Sequence, residues 1–149
     1  MIFYPNLACL QMATELKAAL ALSKVRLFKT MTNDEPPVPF VPTVSTTSAE
    51  LENAECDFDG YPAGGITVTA MLAPLLDPAG GASIESPVVQ FAWAHVDTDV
   101  GNVVAGFWLE DAAGILRMIG VLPVPIPLQG PGQGIPLTFK CVEPTGVGV

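Results

Sequence analysis

The chain has 149 residues, 50% of them hydrophobic and only 14% charged. That is one domain's worth of sequence, long enough to bury a core and too apolar to be disordered. Its 14 glycines and 15 prolines exclude long uninterrupted helices over most of its length. Six Lys+Arg against 15 Asp+Glu leave a net charge of −9, which repels phosphate backbones, so nucleic acid is not an expected partner.

The spacing of Leu7, Leu10, Ala13, Leu16 and Leu20 predicts a helix from about Asn6 or Leu7 to Leu22, with Asn6 as cap and Pro5 marking the start. Glu15 and Lys17 interrupt the apolar run and no basic segment precedes it, so it does not read as a secretion signal. From Lys24 to Met31 the pattern alternates, Val25 and Leu27 against Lys24, Arg26 and Thr30, as in a half-buried strand; Phe28 on the polar side implies that this side is partly covered. Residues 1–30 carry a net +3 and the remainder −12. Lys17, Lys24, Arg26 and Lys29 either solubilise the helix and strand or form a tail that meets an acidic surface.

Four prolines at 36, 37, 39 and 42 make an extended connector. A short second helix is expected within residues 45–54, capped by Thr47 or Ser48 with Glu50 or Glu52 in its first turn. From Asp57 onward strands and turns succeed one another at intervals of roughly 10 to 12 residues: GYPAGGITVTAML, SPVVQFAWAHV, VVAGFWLED, ILRMIGVL and IPLTFKCV. This predicts a mainly β chain with an antiparallel β-sandwich or jelly-roll-like core, divided into an N-terminal helical segment (1–23) and a β-sandwich domain (24–149). The uncharged stretch from Met118 to Phe139 is long enough to span a bilayer, but its prolines and glycines rule out a membrane helix.

In VLPVPIPL, Pro123, Pro125 and Pro127 occupy every second position and strip the N–H donors from one lateral edge, leaving the other edge able to pair through Leu122, Val124 and Ile126. The segment is either a blunted edge strand or an extended Pro-rich arm that docks on a neighbour through Leu122, Val124, Ile126 and Leu128.

No catalytic constellation is legible. His95 is the one histidine and lies in an apolar run, and no Ser or Cys stands in a nucleophile motif. The pairs Asp57/Asp59 and Glu110/Asp111 read as solvated turn residues, and Asp97, Asp99 and Asn102 lack the rest of a calcium loop. GPGQG, at 130–134, has no lysine directly after it and starts no helix, so it does not cradle phosphate. Phe91, Trp93, Phe107 and Trp108 are expected in the core, although a sugar-stacking role for Trp93 or Trp108 would define a carbohydrate-binding module. Cys9, Cys56 and Cys141 suggest neither a disulfide framework nor zinc, and fit a reducing compartment.

Four pieces, in order, resemble a family of small structural proteins of tailed bacteriophages. They are Arg26-Leu27-Phe28-Lys29 followed by a linker with Asn33, Pro36 and Pro37; Glu55-Cys56-Asp57-Phe58-Asp59-Gly60-Tyr61; Gly106-Phe107-Trp108-Leu109-Glu110 with the turn Asp111-Ala112-Ala113-Gly114; and the closing strand from Gly134 to Val142. The resemblance covers about residues 24–142, and VLPVPIPL departs from the more ordinary strand of the relatives. It implies a non-enzymatic virion protein with a β-sandwich core, assembled in the host cytoplasm: a capsid decoration (cement) protein, or a tail, collar or fibre component. It brings no catalytic, cofactor or metal residues. The partners it implies are the major capsid protein or other virion proteins and further copies of the chain, a trimer being favoured. The expected interface comprises Leu7 and Leu10 with Leu122, Val124, Ile126 and Leu128.

Overall fold

The computed structural model describes residues 6–76, 82–92, 103–128, 134–138 and 140–142. The chain is mainly β, with an N-terminal helix and only antiparallel strand pairing among the described residues. Helix α1 (Asn6–Ala19) is followed by β1 (Lys24–Lys29), α2 (Ser48–Asn53), β2 (Ile66–Thr67), β3 (Leu75–Leu76) and β4 (Ala82–Glu85). Then come β5 (Val89–Ala92), β6 (Val103–Glu110), β7 (Leu116–Pro127), β8 (Gly134–Leu137) and β9 (Lys140–Val142). One sheet has the order β2-β1-β6-β7, a second β3-β4-β9, and a third pairs β5 with β8.

The main core follows from the sequence periods. Cys9, Ala13 and Leu20 are buried along one stripe of α1 and the turn after it, with Leu10 and Leu16 packed beside them. They meet Val25 and Leu27 of β1, Val104 and Leu109 of β6, Ala82 and Ile84 of β4, Phe91 of β5 and Ile135 and Leu137 of β8. The helical segment is therefore part of the same core as the sheets. Side chains alternate along a strand, so Phe28 and Trp108 face the other way. There they form a second cluster with Leu51, Ala54 and Ala105, roofed by Phe40, whose ring meets Phe28 edge-on at 5.7 Å. The covered polar face that Phe28 implied is this cluster.

Helix α2 is held by the expected cap. Thr47 and Glu50 exchange hydrogen bonds in a capping box, and those bonds hold the Glu50 carboxyl below its ordinary pKa.

Several expectations change. The first helix stops at Ala19 rather than Leu22, and β1 stops at Lys29, because the Lys29 N–H turns to the Ala54 carbonyl (2.8 Å). The extended GYPAGGITVTAML forms a strand only at Ile66–Thr67, since Gly60, Gly64 and Gly65 take left-handed backbone angles that break it. At Gly65 a Cβ would also collide with the Val25 carbonyl. ILRMIGVL and VLPVPIPL are one strand, β7, at the free edge of the four-stranded sheet. Residues 122–125 bulge from β6 between the pairs Gly106↔Val121 and Val104↔Ile126, so Ile126 pairs as expected whereas Leu122 and Val124 do not. IPLTFKCV divides, β8 joining β5 and β9 joining β4.

Before that bulge, β6 and β7 approach closely because Gly106 has no side chain. A Cβ there would run into the Gly120 carbonyl and the Phe28 ring. Gly106→Ala is expected to destabilise the fold by about 1–3 kcal/mol, as overpacking of a filled core does. Urea unfolding measures it, and a midpoint equal to that of the parent chain would show that the strands can separate at no cost.

Candidate functional site

The motifs that lie far apart in sequence meet around Arg26. Its side chain, 12% exposed, projects from β1 to the second cluster and lies over the Trp108 ring at 4.8 Å. The guanidinium binds Glu55 through both Nε (2.9 Å) and the second amino group, Glu52 at 3.0 Å and Glu110 at 3.3 Å. The Glu55 hydrogen bonds, foremost, hold Arg26 firmly protonated, against the desolvation that burial imposes. Glu110 also accepts from Trp108 Nε1 at 3.1 Å. Tyr61 donates to Glu55 (2.8 Å) and accepts the Leu27 N–H (3.0 Å); burial pushes its phenol pKa well up, so it remains a neutral donor. The Tyr61 ring stacks on Phe91 and meets Phe58 edge-on.

Every hydrogen-bonding atom of this network that faces inward is engaged by another, which is what a fold-defining ion cluster requires. Glu110 is tied to Arg26 and Trp108, and Asp111 to backbone and Arg117. The reading of Glu110/Asp111 as solvated turn residues is therefore corrected: both are buried, at 7% exposure. The charge reading also changes. Arg26 is consumed internally and Lys29 is buried against Asp57 at 3.0 Å, so neither solubilises the strand nor is presented to an acidic surface.

The turn after β6 is fixed by Asp111. Its carboxylate accepts from the Ala113 and Ile115 N–H groups at 2.9 Å each and pairs with Arg117 at 2.6 Å, while its own N–H donates to the Ile115 carbonyl. The Ile115 amide bond, first among these, holds the Asp111 carboxyl below its ordinary pKa. A carboxyl depressed in the folded state stabilises it above the unfolded pKa and loses that contribution as pH falls through the folded value. Acid unfolding from about pH 4 downward is expected to be less steep in Asp111→Asn, read from thermal midpoints over a pH series; identical profiles would dismiss the role.

A surface of another kind lies beside β7. An open groove of about 510 Å³ runs between residues 42–46 and the strand, lined by Pro42, Val44, Leu116, Arg117, Ile119 and Val121 among others. In a chain with 15 acidic residues its lining has none. Val41, Val44, Val121 and Val124 are all exposed around it or farther along the strand, Val121 at 61% and Val124 at 74%.

Of the interface residues expected from sequence, Val124 alone is fully presented. Leu122 and Ile126 are half-buried against the main core, Leu128 is buried and Leu10 packs beside it, and the side chain of Leu7 lies outside the described residues. The structure thus brings Leu10, Leu122, Ile126 and Leu128 together, but in the core. Val41, Val44 and Val121 were missed: Val41 and Val44 lie in and just after a proline-rich connector, which gives no periodic signal, and Val121 falls outside the alternating row of Leu122, Val124 and Ile126. Phe91 and Trp108 are fully buried, as expected of core aromatics, so Trp108 offers no stacking platform. His95, Trp93, Asp97, Asp99 and Asn102 lie outside the described residues, as does most of GPGQG.

Comparison of the chain with protein-family models, with curated proteins and with solved structures gives no match.

Proposed function

We propose that the chain is a non-enzymatic structural protein of a virus particle, a capsid decoration protein that binds and stabilises the head of a tailed bacteriophage. Its core is read as a β-sandwich, with the four-stranded sheet as one layer and the two smaller sheets with α1 as the other. The supporting observation is the carboxylate-free apolar surface along residues 41–46 and β7. Exposed apolar ground of this kind serves association better than solvation. The acids best placed for chemistry, Glu55, Glu110 and Asp111, are engaged in holding the fold.

The test is the copy number of the chain relative to the major capsid protein in purified particles, by quantitative mass spectrometry. About one copy per capsid subunit, or a stoichiometric fraction of it, is expected. A ring-sized number, about six to eighteen as cyclic symmetry gives, would move the chain to collar, tail or fibre, and absence from particles would overturn the reading. Val124→Asp, at an exposed site, is expected to lower loading without unfolding the protein.

A further inference from the structure

The backbone of β7 carries a self-complementary edge. Leu27 donates its N–H to Tyr61 and accepts from Cys56 N–H at 3.0 Å, so both groups point away from β6. Alternation then turns Arg26 and Phe28 toward Trp108 and Gly106, and Phe107 and Leu109 toward Gly120 and Met118. The same alternation leaves the N–H and C=O groups of Ile119 and Val121 pointing outward. At Arg117 the register shifts by one residue, between Leu109↔Met118 and Glu110↔Leu116, which turns its N–H inward to β6 and leaves only its C=O outward. Among the described residues no strand pairs with them, because β7 ends the sheet.

This open run is bounded at both ends. Beyond it, Pro123, Pro125 and Pro127 have no N–H to offer. Before it, both backbone groups of Ile115 are spent on Asp111, at 2.9 Å each.

We propose that two copies of the chain pair antiparallel through β7, about a two-fold axis at Ile119. In that register the Arg117 carbonyl faces the Val121 N–H of the partner subunit, and Ile119 faces Ile119 of the partner subunit, giving roughly four inter-chain backbone bonds. The next pair places Pro123, which lacks a donor, opposite Ile115 of the partner subunit, whose groups are already satisfied. Both ends therefore close without an unmet donor. Charge favours a second copy here and little elsewhere. A chain of net −9 repels itself, whereas β7 holds no acid, and its one charge, Arg117, meets a valine rather than its own copy. A two-fold pair closes on itself and departs from the three-fold assembly expected from sequence. The pairing does not rest on the virion reading, and the copy-number result leaves it untouched.

Sedimentation equilibrium of the full chain over a wide concentration series, with amide hydrogen exchange, tests this. A reversible dimer is expected, weak because an edge contact is small, with Ile119 and Val121 amides protected at high concentration and exchanging on dilution. Val121→Lys places a cation opposite Arg117 of the partner subunit. Val121→Pro removes an outward donor while leaving the bonds of Gly120 and Met118 to β6. Each is expected to weaken dimerisation roughly tenfold or more, as edge lysines and prolines do, with an unchanged circular dichroism spectrum, while Val124→Asp leaves it unaltered. A monomer at every concentration would overturn the proposal, as would a dimer indifferent to both Val121 variants or amides at 119 and 121 protected at any dilution. Pairing with a strand of a different protein, and not with itself, would appear as the first of these.

Discussion

Arg26→Ala is expected to destabilise the fold by about 3–5 kcal/mol, the range for removing one partner of a buried ion cluster. The loss comes less from the attraction removed than from what stays behind. Glu55 and Glu110, 15% and 9% exposed at the side chain, would keep their charges away from water with no cation between them. Glu52 is half-exposed and contributes little to this total. Since a domain has about 5–15 kcal/mol in all, the variant sits near the edge of folding. Urea unfolding at neutral pH gives the number. Arg26→Met combined with Glu55→Gln and Glu110→Gln is expected to recover a good part of it, because no buried charge then lacks a partner. A loss below about 1 kcal/mol in Arg26→Ala, the value of a surface pair, would mean that water reaches the cluster freely.

Trp108→Ala is expected to cost about 3–5 kcal/mol, the usual range for emptying the site of a buried aromatic. The indole is fully buried, fills the space between Phe28, Leu51 and Ala105, stacks under Arg26 and donates to Glu110. Trp108→Phe separates these contributions. It keeps most of the packing and loses the donor, so about 1–3 kcal/mol of the loss is expected to remain as the cost of an acceptor left unsatisfied. Equal stability of Trp108→Phe and the parent chain would show that Glu110 needs only Arg26. Coupling between the Arg26 and Trp108 substitutions, measured by a double-mutant cycle, is expected because the two side chains are in contact.

Local pattern was enough to read α1, a cap for α2 at Thr47 or Ser48, the alternation of β1, strand β6 and the turn at Asp111. In each the determining groups lie within four residues of one another, at a helix period, a strand period or a side chain bonding its own turn. Periodicity also placed Phe91 and Trp108 in the core and located a proline-blunted edge at residues 123–127.

Tertiary structure decided what those local elements mean together. Arg26 looked like one of four solubilising cations because its partners lie 29 and 84 residues away, at Glu55 and Glu110, and no short-range rule links them. Leu122, Ile126 and Leu128 looked like a docking row, since alternation tells which residues share a face but not whether that face meets solvent or the chain's own core. The small sheets β3-β4-β9 and β5-β8 were equally hidden, because short strands acquire their pairing only from partners distant in sequence. Composition and local period are sufficient for a mainly β, turn-rich, acidic chain with an amphipathic helix at its start. Which charges are buried, which apolar residues remain outside and which strand edge stays open were settled by long-range packing, where burial and pairing depend on neighbours that local periodicity does not encode.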